Sequence, residues 1–196
     1  MADFNTIVNE VFTITNRPDL VKETQLAVKS ATLQLHRSEF FYKDLLETAL
    51  QFDASNYLQS IDYRSLFPRY RSLEYLRKYD PTQGVGGFID IITPAEILDS
   101  YGVQKNNIAY VAGSLIQVRA SENLQYVLIG LYQNPDVSPD TYKSWIADEA
   151  LYAIVYKAAS ILFGTVLGDI ARQNSNDAMA NVEFLEVKNS NIMSRS

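Results

Sequence analysis

Residues 124–146 read LQYVLIGLYQNPDVSPDTYKSWI, and the fold turns on where this stretch changes character. Leu124–Tyr132 is rich in aliphatic and aromatic residues and reads as a strand. Asn134-Pro135-Asp136-Val137-Ser138-Pro139-Asp140 then punctuates the chain more sharply than any other segment. Serine suits the cap position and proline the first helical position, so Ser138-Pro139 predicts the start of the longest helix, about 139–172. Trp145, Ile146, Ala150, Leu151, Ala153, Ile154, Ala158, Ile161, Leu162 and Leu167 give it a broad apolar face. From Ala158 to Gly168 only Ser160 and Thr165 are polar, which predicts burial nearly all round. Lys157 sits inside the only window of about 18 residues, the length a span needs, and Asp148, Glu149 and Asp169 bracket that window. That argues for a core helix and against a membrane span.

Working back from this stretch, two strands, Ile108–Ala112 and Leu115–Arg119, are joined tightly at Ala112-Gly113-Ser114. A small helix, about 93–101, is signalled by Thr93-Pro94-Ala95-Glu96, with the spacing of a capping box, and Gly102 can close it. Phe88–Ile92 is an apolar run preceded by Gln83-Gly84-Val85-Gly86-Gly87, which reads as a mobile loop. Arg69–Tyr79 alternates, placing Arg71, Leu73, Tyr75, Arg77 and Tyr79 on one side. Leu46, Thr48, Leu50 and Phe52 alternate as well, and Leu58–Tyr63 looks extended. Upstream the period becomes helical. Phe4, Ile7, Val8 and Val11 mark a helix over about 3–14, and Leu20, Val21, Thr24, Ala27, Val28, Ala31 and Leu35 mark another over about 18–36.

Past Arg172 the chain turns polar, with an apolar island at Val182, Phe184, Leu185 and Val187. The expectation is therefore an α+β, mainly helical chain: an α-helical bundle with an antiparallel β insertion (about 46–132) and an extended C-terminal tail. Residues 1–172 form one domain and 173–196 the tail.

The 196 residues include 17 Lys+Arg and 23 Asp+Glu, for a net charge of −6. The absence of cysteine excludes disulfides, zinc knuckles and thiol chemistry. The N-terminus lacks the basic-then-apolar pattern of a secretory signal. The one histidine, His36, sits at the end of the second helix, where it can face the negative helix end. No Gly-x-Ser-x-Gly elbow accompanies it. Gly84-Val85-Gly86-Gly87 lacks the Gly-Lys-Ser/Thr of a phosphate loop, and Asp148 and Glu149 point about 100° apart on a helix. No catalytic set, cofactor or metal site is expected. The aromatic load of 13 Tyr and 9 Phe instead suits half-buried contact faces. Arg64–Lys78 is the one basic concentration, with Tyr70 and Tyr75 interleaved. On an acidic chain a protein contact through Arg69, Tyr70, Arg71, Tyr75 and Arg77 is favoured over nucleic-acid binding.

The order of these pieces resembles a known family. Ala27–His36 leads into Ser38-Glu39-Phe40-Phe41-Tyr42-Lys43-Asp44. A β region containing Leu66-Phe67-Pro68-Arg69-Tyr70-Arg71 follows, and Leu124–Tyr132 with Gln133-Asn134-Pro135 feeds the helix bearing Ser144-Trp145-Ile146. Over roughly residues 18–172 this resembles the head-to-tail adaptor (connector) proteins of tailed, particularly short-tailed, bacteriophages. The resemblance implies a structural virion protein assembled in the host cytoplasm. It would form a ring, usually of twelve copies, between the portal protein and the tail nozzle or tail fibres. The ring continues the DNA channel without binding the genome specifically, which suits an acidic wall. It also implies that Val182, Phe184, Leu185 and Val187 dock on the portal. Arg69, Tyr70, Arg71, Tyr75 and Arg77 would meet a neighbouring subunit or the tail. Two other readings stay open: a phage-associated cell-wall hydrolase working through carboxylates distant in sequence, and a nucleic-acid-binding regulator using residues 64–78.

Overall fold

The computed structural model describes residues 2–52, 58–98, 102–120 and 124–191. The chain divides into two compact units, Met1–Asp44 with Asn134–Ser196, and Leu45–Gln133.

The first unit is helical: α1 (Phe4–Thr15), α2 (Val21–Arg37), α4 (Trp145–Glu149), α5 (Leu151–Thr165) and α6 (Ile170–Asn191), with the four-residue α3 (Tyr63–Leu66) belonging to the second unit. Asp3 caps α1 by accepting the Thr6 N–H, and Asn16 ends it at φ 52 with its N–H on the Phe12 carbonyl. Ala27 and Ala31, both buried, let α2 lie close against α5, whose own buried positions include Ala153, Ala158 and Ala159. Phe4, Val28, Phe41, Ile146, Ile154, Leu162 and Phe163 complete that core.

The single helix expected over 139–172 is three helices. Asp136 explains why Pro139 starts nothing. Its carboxylate accepts the Ser138 N–H and the Thr141 hydroxyl, and its carbonyl accepts the Lys143 N–H, closing a local loop. The cap that operates is Ser144, which accepts the Ala147 N–H and starts α4. The chain breaks again at Ala150 (φ −141, ψ 63) and at Gly168 (φ 65).

In the second unit seven strands form a curled mixed sheet: β1 (Leu45–Gln51), β2 (Leu58–Asp62), β3 (Tyr70–Asp80), β4 (Gly84–Ile91), β5 (Ile108–Ala112), β6 (Leu115–Arg119) and β7 (Tyr126–Gln133). Their spatial order is β1-β7-β3-β4-β5-β6-β2, antiparallel except for the β4–β5 pair. The curl has a simple cause. Seven strands laid flat would set the outer two about 29 Å apart at about 4.8 Å per neighbour. Residues 52–57, which join β1 to β2 across that width, span at most about 25 Å even fully extended. The sheet therefore bends around its core of Ile61, Leu76, Ile89, Ala109, Ile116, Val118, Val127, Ile129 and Leu131, with Tyr63 and Phe67 packed among them.

Two expectations are corrected here. The chain is not a mainly helical bundle with a β insertion and an extended tail: helix makes up 45% and strand 30%. The β region is a continuous sheet with its own core, and Ile170–Asn191 is a helix. The inward stripe of α6 is Asn176, Ala180, Phe184, Val187 and Asn191, at helical spacing. Asparagine at both ends hides it from a hydrophobicity reading. Their side-chain N–H groups bond back onto the helix, Asn176 donating to the Arg172 carbonyl and Asn191 to the Val187 carbonyl, each at 2.8 Å.

Other segments differ locally. Gly84–Gly87, expected as a mobile loop, opens β4. The small helix keeps its Thr93–Glu96 capping box as a single 3-10 turn, Pro94–Glu96, while residues 99–101 lie outside the described residues. Residues 121–123 lie outside them too. The alternation assigned to β3 is reset by bulges at Tyr70/Ser72 and Leu73/Tyr75. Leu73 and Leu76 thereby share the core face, and Tyr75, Arg77 and Tyr79 take the other.

β7 is buried along most of its length, with Gly130 at its centre. The Tyr75 ring lies where a Cβ at position 130 would stand. Gly130→Ala is expected to turn that ring away and to cost about 1–3 kcal/mol of stability, read as a lower urea midpoint. An unchanged midpoint would show that the ring yields freely.

Candidate functional site

Three arrangements can carry function: the outer face of the sheet, the outer face of α6, and a buried polar cluster in the helical unit.

On the sheet, β3 brings Tyr75, Arg77 and Tyr79 to one face. The Tyr75 ring crosses Gly130 of β7 to reach β1, where its hydroxyl donates to the Glu47 carboxylate. Arg77 stacks over the Phe88 ring at 4.8 Å, and Phe88 meets Tyr75 edge-on. Tyr79 pairs edge-on with Tyr126. Phe88 is 63% exposed. Tyr70, by contrast, turns inward and stacks on Tyr63, beside the core, while Arg69 donates to Gln133 at 3.5 Å and Arg71 lies at a bulge. The five residues expected to share a contact surface are thus divided, with only Tyr75 and Arg77 standing together on the outer face. Register shifts decide this, and no single-residue pattern announces them.

The apolar island of the C-terminal segment is divided in the same way. Phe184 is buried against Phe41, and Val187 packs on the same core. Val182 and Leu185 point outward, 71% and 55% exposed. The segment cannot be removed without emptying a core position. It is also tied down by Lys157–Asp177 at 2.5 Å and Lys188–Glu39 at 2.9 Å.

The buried cluster centres on His36. Its Nδ1 lies 2.8 Å from Asp44 Oδ1, its Nε2 lies 2.9 Å from Ser144 Oγ, and Trp145 Nε1 donates to the same Asp44 oxygen at 2.8 Å. This is the connectivity of a serine–histidine–aspartate triad. The acid comes from the turn before β1, the histidine from the end of α2, and the serine from the cap of α4. Access decides what it can do. His36, Asp44 and Ser144 are 1%, 8% and 5% exposed. Ser144 Oγ already accepts the Ala147 N–H that starts α4. Buried and bonded in this way, the cluster fastens three segments together. His36 sits in the last turn of α2, as expected; its ring joins Asp44, eight residues on, to Ser144, which is remote in sequence, and neither stands in any motif that would have disclosed the contact.

Two clefts, of about 820 and 270 Å3, open elsewhere. One runs along the β3–β4 turn from Lys78 to Gly86, and the other lies between α2 and α6 beside Lys157 and Lys188. Among the described residues no cluster of histidine and carboxylates could hold a metal ion, and no helix is long and apolar enough to cross a membrane. No protein-family model matches the chain, and no curated protein matches it.

The Tyr75 hydroxyl is pushed up to about 12, first by burial and then by its bond to the Glu47 carboxylate and the repulsion from that charge. The folded chain therefore holds this proton more tightly than the unfolded one. Its contribution to stability is complete below the ordinary tyrosine range near 10 and is lost as pH rises from about 10 to about 12. Ultraviolet titration should show a late-ionising tyrosine that disappears in Tyr75→Phe; identical curves for the two chains would refute the contact. Ser144→Ala should lower stability by about 1–2 kcal/mol in urea titration. A fluorophosphonate probe should leave Ser144 of the native protein unlabelled, and labelling would show that the cluster opens to solvent.

Proposed function

We propose that this chain is a subunit of the head-to-tail adaptor of a tailed, short-tailed bacteriophage. Its copies form a ring, usually of twelve, between portal and tail nozzle or fibres, with the genome passing through the lumen. The observation that carries the reading is α6, which is apolar on two opposite faces. One face supplies Phe184 and Val187 to the core, and the other presents Met179, Val182 and Leu185 to solvent. A helix that served only its own fold would be polar on the second face. An exposed apolar face of this kind is a docking surface.

Further support comes from the order of elements along the chain and from the Tyr75–Arg77–Phe88 group, whose residue types favour protein contacts. The seclusion of Ser144, His36 and Asp44 weighs against a hydrolase acting through that set. The regulator reading loses ground because the segment 64–78 does not present one continuous basic face: Tyr70 turns to the core and Arg77 is stacked on Phe88. The protein acts, in this reading, through surfaces and without covalent chemistry, in the virion at the head–tail junction.

Electron microscopy of the purified chain mixed with portal particles tests it. A ring seated on the portal is the expected result. A chain that stays apart from portal particles and clears a cell-wall zymogram would replace this reading with a hydrolase. Val182→Asp with Leu185→Asp should leave the circular-dichroism spectrum unchanged and abolish ring formation.

A further inference from the structure

Strands β1 and β2 stand at the two edges of the sheet, β1 bonded only to β7 and β2 only to β6. An edge strand presents a row of unpaired N–H and C=O groups, which proteins commonly blunt with proline, lysine or a bulge. β1 has none of these. Leu45–Gln51 keeps one unbroken register with β7, and its only charged side chain, Glu47, accepts the Tyr75 hydroxyl. β2 is equally regular over Leu58–Asp62. Leu46 and Leu58 are 36% and 48% exposed.

The register fixes which backbone groups point away from the sheet. Phe52 donates to the Gln125 carbonyl, one step beyond the Gln51–Tyr126 pair, so Leu46, Thr48 and Leu50 turn their backbone groups to β7. Leu45, Glu47, Ala49 and Gln51 direct theirs outward. Tyr63 likewise donates to the Ser114 carbonyl, so Gln59 and Ile61 bond to β6, and Leu58, Ser60 and Asp62 direct theirs outward. Among the described residues nothing else bonds to these outward groups. Glu47 meets Tyr75 on the outer face, and Ile61 points into the core. The outward-bonding residues of both edges therefore carry their side chains on the outer face. Direction agrees as well: the single parallel pair, β4–β5, leaves β1 and β2 running oppositely. Two copies laid edge to edge, core faces on the same side, meet as an antiparallel pair in phase.

We propose that β1 of one copy pairs with β2 of the next, extending the sheet across the contact. The register that suits the side chains sets Leu45 opposite Asp62, Glu47 opposite Ser60 and Ala49 opposite Leu58 as hydrogen-bonded pairs. It also lays Leu46 beside Ile61 on the core face and keeps Glu47 from standing opposite Asp62. Two different edges meet, so the contact is heterologous and leads to a ring or a filament. Closure into a ring is the one part that rests on the adaptor reading.

The chain has no cysteine, so introduced thiols report the pairing. Thr48 of one copy and Gln59 of the next would face each other as a non-hydrogen-bonded pair, whose close spacing admits a disulfide. One full-length variant carries Thr48→Cys, the other Gln59→Cys. Mixed under oxidising conditions they should give a cross-linked dimer on a non-reducing gel, and neither should do so alone. A mixture that stays uncross-linked overturns the pairing. So does Thr48→Cys cross-linking to itself as fast as to the other variant, which would show β1 pairing with β1. Ala49→Pro and Ser60→Pro each remove an outward N–H and none that bonds within the sheet. Each should keep the circular-dichroism spectrum and weaken association in sedimentation velocity at least about tenfold. If a proline variant loses its fold, the thiol pair decides alone. Folded proline variants that still seat as normal rings on portal particles overturn the pairing and leave the adaptor reading standing. Cross-linking in the mixture by a chain that ignores portal particles keeps the pairing and removes the adaptor reading. An unmodified chain that never associates, with or without portal particles, removes both.

Discussion

The sheet unit depends on one constraint of length. Strands β1 and β2 follow each other in sequence yet occupy opposite edges of a seven-stranded sheet, and the residues between them cannot bridge that sheet laid flat. Curling is therefore imposed before any side chain is considered. Side chains then make use of it: the inner face is filled by branched aliphatics from β2 through β7, and the Tyr63–Phe67 segment packs against them. The outer face is what remains to carry polar and aromatic groups. Tyr75 and Arg77 stand there because a bulge at Leu73/Tyr75 changes which residues of β3 face outward, and Phe88 of β4 lies opposite Arg77.

Legibility followed the range of the interaction. Local signals were readable: the Thr93–Glu96 box, the tight turn at Gly113, and the apolar faces of α1 and α2. Where two local signals competed, sequence alone chose wrongly. Ser138-Pro139 has the form of a helix start, but Asp136 captures Ser138 and Thr141 first, and Ser144 becomes the cap. The fold class was misjudged for a related reason: hairpins can be inferred from spacing, whereas a parallel β4–β5 pair and a β1–β7 pair joining distant segments leave no local trace. The helix in the C-terminal segment was concealed by asparagines at two of its inward positions.

The candidate surfaces were legible as composition and illegible as geometry. The basic, tyrosine-rich segment and the apolar island both stood out, yet each is shared between core and solvent. Phe184 and Tyr70 serve the interior, while Leu185, Val182 and Arg77 stand outside it. The cluster of Ser144, His36 and Asp44 teaches a second lesson. Hydrogen-bond connectivity is shared by catalytic triads and by structural ties, and solvent access separates them.

The helical unit is discontinuous: α1 and α2 precede the sheet, and the helices that bury them follow it. During translation the apolar faces of Phe4, Ile7, Val11, Val28 and Leu35 leave the ribosome long before α5 exists. At roughly 5–20 residues per second that interval lasts several seconds or more. Nascent chains of this protein thus display sticky helices for a defined period, during which chaperone binding competes with premature aggregation. Fusing a stalling sequence after Gln133 would hold the chain in that vulnerable state.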